Sequence, residues 1–165
     1  MIKYSFILFL FIFVLQKINM FSKTCEYAIR AMILIAQKSK KGSKTGIKEI
    51  AKNIDAPEYF IAKILHDLGR KGIVQSLKGP TGGFFITRPG FDMSLADIVK
   101  AVDGEKLFTG CGLGLPYCSE KKPCPIHNEF KKVRMEIYNV LQEAKLGELQ
   151  EQLENKMAFL KRRST

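Results

Sequence analysis

IKEIAKNIDAPEYFIAKILHDLGRKGIVQSLKGPTGGFFITRPG, residues 47–90, decides the fold, because the spacing of its apolar residues changes within it from that of helices to that of strands. Ile47, Ile50, Ala51 and Ile54 recur at three and four residues, which predicts a short helix. Asp55-Ala56-Pro57 supplies a turn, with Pro57 at the start of the next helix. Tyr59, Phe60, Ile61, Ile64, Leu65 and Leu68 are expected on the buried side of that helix, and Gly72 closes it. The period then drops to that of strands, over Ile73 to Leu77 and Phe84 to Thr87, joined by the Gly-rich tip Lys78-Gly79-Pro80-Thr81-Gly82-Gly83.

Upstream, Ser22 to Gln37 carries Tyr27, Ala28, Ala31, Met32, Leu34 and Ile35 at helical spacing behind a Ser or Thr cap, and KSKKGSKTG, residues 38–46, reads as a solvated loop. Helix, helix, turn, helix, hairpin is the order of a winged helix-turn-helix, so the fold is expected to be mainly α with a small β-hairpin. In that arrangement the third helix enters the major groove and basic wing residues touch the backbone. Downstream, Ser94 is placed to cap a helix to about Val102 with Leu95, Ile98, Val99 and Val102 inward. Phe130, Val133, Ile137, Val140 and Leu141 give a helix over 128–144, long enough to protrude and pair with a second copy. Leu146-Gly147-Glu148-Leu149 is expected to interrupt it, before a charged last helix from Leu149 to about Leu160. Residues 20–90 thus read as a DNA-binding domain, and 91–165 as a Cys-rich loop with a long C-terminal dimerisation helix.

The chain's net charge of +11 is unevenly spread. Residues 20–90 hold 13 Lys and Arg against 5 Asp and Glu, whereas residues 91–165 hold 12 against 11. A basic module beside a nearly neutral one reads as a polyanion-binding unit joined to a sensing or assembly unit. MIKYSFILFLFIFVLQKIN, residues 1–19, is a different kind of sequence, an apolar extension. Its unbroken apolar run, Phe6 to Leu15, falls short of the about 20 residues of a transmembrane helix and has no small-residue cleavage site after it. It reads as an over-extended start with Met20 as the initiator, the alternative being a signal-like segment or membrane anchor. On the first reading the protein is cytoplasmic and no membrane partner is expected.

CGLGLPYCSEKKPCPIH, residues 111–127, gathers Cys111, Cys118, Cys124 and His127 within a Gly- and Pro-rich loop. Three soft thiols and an imidazole suit a metal or an iron-sulfur cluster. The tight Cys-x(2–4)-Cys knuckle that opens most structural zinc sites is missing. No nucleophile-base motif and no nucleotide fingerprint appears, so neither an enzyme nor a small-molecule substrate is expected. Glu58, Tyr59, Lys63, His66 and Arg70 are expected to be exposed on the third helix and its preceding turn, facing DNA, with Lys78 at the wing base and Thr81 at its tip. Cys25, in the first helix, reads as a small apolar packing residue.

Tyr27-Ala28-Ile29-Arg30-Ala31, Ile50-Ala51, Phe60-Ile61-Ala62-Lys63-Ile64-Leu65, the wing Lys78-Gly79-Pro80-Thr81-Gly82-Gly83-Phe84 and the Cys/Cys/Cys/His loop together resemble the Rrf2 family of bacterial winged-helix regulators, from Met20 to about Leu153. That resemblance implies a homodimer on partly palindromic double-stranded promoter DNA, tuned by an iron-sulfur cluster, usually 2Fe-2S. It maps the ligands onto Cys111, Cys118, Cys124 and His127. In other members a carboxylate from the partner's first helix completes the set, and the matching residue is Glu26. The IscR-like branch carries a Glu in the recognition helix where this chain has Ala62, so the target sequence does not carry over. Structural zinc, or a thiol-redox switch without cofactor, at the same residues is the alternative.

Overall fold

The computed structural model describes residues 20–161, so the apolar extension 1–19 lies outside the described residues. Helix α1, Lys23–Lys40, starts at Ser22, whose hydroxyl accepts from the Cys25 N–H. Helix α2, Ile47–Ile54, ends at Asp55 in the left-handed region (φ 55°), which turns the chain into α3, Glu58–Arg70. Pro57 is the N-cap of α3 and not its first helical residue. The Arg30 guanidinium donates to the Ile54 carbonyl at 2.8 Å, satisfying an orphan at the end of α2 and tying the helix-turn-helix to α1.

The wing is a two-stranded antiparallel sheet, β1 (Gln75–Leu77) and β2 (Gly83–Phe85), in the register Gln75↔Phe85, Ser76↔Phe84, Leu77↔Gly83. Both strands are shorter than the sequence suggests. The N–H of Ile73 is spent on the Leu68 carbonyl and that of Gly72 (φ 72°) on Gly69, a Schellman-type closure of α3. At the far end Thr87 precedes a short helix, α4 (Arg88–Phe91), absent from the sequence reading.

Helix α5, Leu95–Asp103, opens with a capping box between Ser94 and Asp97. A second unanticipated turn, α6 (Lys106–Thr109), leads into the Cys loop, and α7, His127–Glu143, follows it. The last helix, α8, spans Leu146–Glu154 rather than 149–160. The joint between α7 and α8 is stitched to the start of α5, Leu95 N–H to Ala144 O and Leu146 N–H to Met93 O, both 3.0 Å. Gly147 therefore does not break a helix. A Cβ there would sit 3.3 Å from the Phe91 carbonyl oxygen, so the glycine lets α8 approach α4 closely. Lys156, in the left-handed region (φ 56°), lies just beyond the end of α8.

One core joins α1, α2, α3, the wing, α5 and α8 around the fully buried Met32, Ile35, Ile50, Ile54, Ile61, Leu65, Leu68, Ile98 and Leu146. Each such side chain contributes about 1.5–3 kcal/mol. A smaller cluster, Cys25, Ala96, Val99 and Leu141, seats α7 against α1 and α5. No helix among the described residues is long and apolar enough to cross a membrane.

Candidate functional site

The exposed face of α3 and the wing form the candidate nucleic-acid surface. Ile61, Ile64, Leu65 and Leu68 are the residues of α3 that face the core. Tyr59 and Phe60, counted among the apolar residues of that buried side, are instead 75 % and 51 % exposed, with their rings edge to face at 5.9 Å; for Tyr59 this is the exposure expected of a DNA-facing residue. They precede Ile61, the first core residue, by two and one positions, where α3 has not yet met the core. Glu58, Lys63, His66 and Arg70 are exposed on the same helix, as are Lys78 and Thr81 on the wing. They differ in freedom. Arg70 is paired with Asp67, and the His66 ring packs edge-on against Phe84 at 6.3 Å. Lys63 and Lys78 have no carboxylate partner among the described residues. The sequence reading missed Lys48 and Lys52, which line a cleft of about 460 Å³ with Pro57 and Glu58 at the turn. Their position in an amphipathic helix marked them only as solvent-facing.

The Cys loop folds back onto α7, and its four donors stand in two pairs. Cys111 Sγ lies 3.9 Å from Cys124 Sγ, and Cys118 Sγ lies 3.3 Å from His127 Nδ1. Among the described residues no group of three or more His, Cys, Asp and Glu side chains is close enough to hold a single ion. His127, the first residue of α7, is buried, and its Nε2 sits 3.3 Å from a Glu120 carboxylate oxygen without an aligned hydrogen bond. Glu120 also pairs with Lys131 at 2.6 Å, and those two partners hold its carboxyl below the usual range. Backbone N–H groups of Leu113 and Leu115 lower the Cys111 thiol, with smaller help from Cys124 and the Arg134 charge. Glu26, the alternative ligand, sits half-buried on α1, paired with Lys23 at 2.8 Å.

Arg134 was missed. Its buried guanidinium donates to the Gly110 carbonyl, and its two Nη atoms each lie 3.4 Å from Cys118 Sγ. The signal was in the helix phase, since His127, Arg134 and Leu141 are seven apart and form the inward seam of α7. Val133 and Val140, two of the residues whose spacing located this helix, are 46 % and 66 % exposed.

The family model for Rrf2, described as an iron-dependent transcriptional regulator, matches residues 21–152. The chain belongs to the Rrf2 family. Rrf2 proteins are transcriptional regulators and not enzymes, and this chain is a DNA-binding member. It is 32 % identical over 119 residues to an HTH-type transcriptional regulator of Aquifex aeolicus, covering 71 % of this chain and 81 % of that one. It is 23 % identical over 139 residues to the regulator NsrR of Oceanobacillus iheyensis, covering 84 % and 94 %. Its fold resembles that of CymR, the global cysteine regulator of B. subtilis (TM-score 0.67, 21 % identity, 79 % of this chain and 95 % of that chain). It also resembles IscR of T. potens (TM-score 0.63, 23 % identity, 83 % and 90 %). The mainly helical Rrf2 fold with its small wing is thus the one expected from the sequence.

Proposed function

We propose that this Rrf2 protein is a homodimer whose affinity for promoter DNA is tuned by an iron-sulfur cluster on Cys111, Cys118, Cys124 and His127. The observation that carries this reading is the pairing of donors, Cys111 with Cys124 and Cys118 with His127. A two-iron cluster takes two protein ligands on each iron, so two pairs suit it. One zinc ion needs all four donors within about 2.0–2.3 Å of itself, which would require both pairs to converge. The buried His127 Nε2 beside Glu120 also fits, because a ligating imidazole commonly donates its other N–H to a carboxylate. When bound, the cluster supplies a redox-responsive charge at the start of α7.

The residues of the chain would do the rest. Val133 and Val140, seven apart and exposed on one side of α7, offer an apolar stripe to a second copy. Exposed Lys78 supplies a cation for phosphate, and Tyr59 and Lys63 lie within reach of base edges. His127 is preferred over Glu26 as fourth ligand because it already stands against Cys118, while Glu26 is engaged by Lys23.

Anaerobic purification tests the reading. The wild-type protein should be brown, with iron and acid-labile sulfide, and Cys→Ala changes at 111, 118 and 124 should each abolish the visible bands. His127→Ala should alter the spectrum and Glu26→Ala should leave it. If all three Cys variants kept the wild-type iron and sulfide, the assignment would be wrong. The 3.9 Å approach of Cys111 to Cys124 favours a second reading, a thiol switch without cofactor. A colourless protein that gains a Cys111–Cys124 disulfide in dilute peroxide, and changes its DNA affinity as it does, would support that one.

A further inference from the structure

Cationic side chains are almost never buried without an anionic partner. Arg134 is 8 % exposed. Among the described residues no carboxylate lies within ion-pair distance of it. Glu120, which shares a cleft with Arg134 and Cys118, is engaged by Lys131 and His127. The groups that the guanidinium's hydrogen bonds and ring contact reach are Gly110 just before the Cys loop, Cys118 within it and Phe130 in the first turn of α7. It donates to the Gly110 carbonyl and directs both Nη atoms at Cys118 Sγ, and its carbon lies 5.5 Å from the Phe130 ring centre. Its Nε is buried with no hydrogen-bond partner among the described residues. The anion this buried fork is built to face is therefore sulfur.

We propose that Arg134 is a positioning residue that balances the negative charge of a thiolate-held cluster at Cys118 and locks the Cys loop onto α7. The inference rests on the cluster reading above. Thiolate ligands leave such a cluster with net negative charge, and both that charge and hydrogen bonds to sulfur set its reduction potential. One-electron reduction adds a further negative charge, which a buried cation at the sulfur favours. Arg134 therefore raises the potential. In the cluster-free chain the same cation is poorly compensated, so it stabilises the loaded protein and burdens the empty one. Gly110, beside the first ligand, and Cys118 are held by one side chain of the proposed pairing helix. A change of charge at sulfur is thereby felt directly on α7.

The test compares wild type, Arg134→Met and Arg134→Lys, each reconstituted anaerobically and titrated with dithionite, and each also stripped with chelator and melted. Met should shift the reduction equilibrium at least tenfold toward the oxidised form, which for one electron is about 59 mV, and Lys should restore most of the shift. Stripped, the Met variant should melt at or above the wild type; loaded, it should lose its cluster faster. A Met variant that folds but holds no cluster, while Lys loads, supports the same conclusion. An unchanged potential in the Met variant, or a Lys variant as low as Met, overturns the charge role. So does a Met variant that loses equal thermal stability stripped and loaded, as an ordinary packing residue would. A wild-type chain that takes up neither iron nor sulfide overturns the cluster reading beneath it, and is distinguishable because it fails before any variant is compared.

Discussion

Thr45 and Phe84 exchange two backbone hydrogen bonds, Thr45 N–H to the Phe84 carbonyl at 3.0 Å and Phe84 N–H to the Thr45 carbonyl at 2.9 Å. This bridge, together with the Ile86 N–H donated to the Ser39 hydroxyl at 3.0 Å, fastens the wing to the end of α1 and the loop after it.

The bridge needs a glycine beside it. Gly83 has φ 146°, and a Cβ there would lie 2.9 Å from three backbone atoms of Thr45. Gly83→Ala should therefore cost at least about 1–3 kcal/mol from backbone conformation alone, more once the overlap is added. Urea denaturation monitored by circular dichroism checks this. A midpoint equal to wild type would mean that the wing is not held against Thr45 in solution.

Acid stability should depend on the cap of α5. Burial alone would raise the Asp97 carboxyl, but hydrogen bonds from the Ser94 hydroxyl and N–H, with Lys145 and Lys100 nearby, outweigh it and hold the group below its ordinary 3.8. The folded state thus binds this proton less readily than the unfolded one. The stabilisation is complete above the unfolded value and is lost as pH falls through the lower folded value. Ser94→Ala should cost about 1 kcal/mol at neutral pH. Asp97→Asn should flatten that acid loss below about pH 4. Thermal melts across pH 2.5–7 give both numbers, and an Asn variant with an unchanged acid limb would exclude Asp97 as a contributor.

The elements that sequence reading located well were those where one signal dominates. Apolar period and a Ser cap placed α1 and α5, and Gly72 marked the end of α3 because that position takes a left-handed backbone (φ 72°). The Cys loop stood out by donor chemistry alone. The misreadings share a cause, competition between local pattern and a distant partner. Gly147 looks like a breaker, yet its neighbours' hydrogen bonds to Met93 and Leu95 restart the helix at once. Tyr59 and Phe60 look like core because they are apolar, but they precede Ile61, where α3 first meets the core. Arg134 looks like one more surface charge, although its phase with His127 and Leu141 puts it on the inward seam.

Thiol reactivity should separate the four cysteines. Burial, reinforced by the negative charge of Asp103, pushes the Cys25 thiol up to about 12. The three loop cysteines are partly exposed. In chelator-stripped, reduced protein at pH 8, iodoacetamide should label Cys111, Cys118 and Cys124 while Cys25 reacts only after denaturation. Peptide mass spectrometry reads the order. Labelling of Cys25 at the rate of the loop thiols would mean that the packing between α1, α5 and α7 opens readily.

DNA binding should divide the candidate residues by how they are held. Lys78, expected at the wing base, is instead the first residue of the loop at the wing's tip, just past the Leu77↔Gly83 pair, exposed and without a carboxylate partner among the described residues, which suits a phosphate contact that carries no sequence information. Lys78→Ala should weaken binding to all duplexes alike and reduce the slope of log K against log salt by about one. Tyr59 and Lys63, one turn apart at the exposed start of α3, lie where a recognition helix meets base edges. Replacing either should alter which sequence is preferred, by about 1–3 kcal/mol for each base edge that is no longer read. Arg70, already paired with Asp67, should matter less than Lys63 unless DNA displaces that carboxylate. If α7 pairs two copies, the footprint should span two half-sites about one helical turn apart. Protection of one half-site only, or affinity that does not fall as salt rises, would rule out the dimeric arrangement with α3 in the groove and the wing on the backbone.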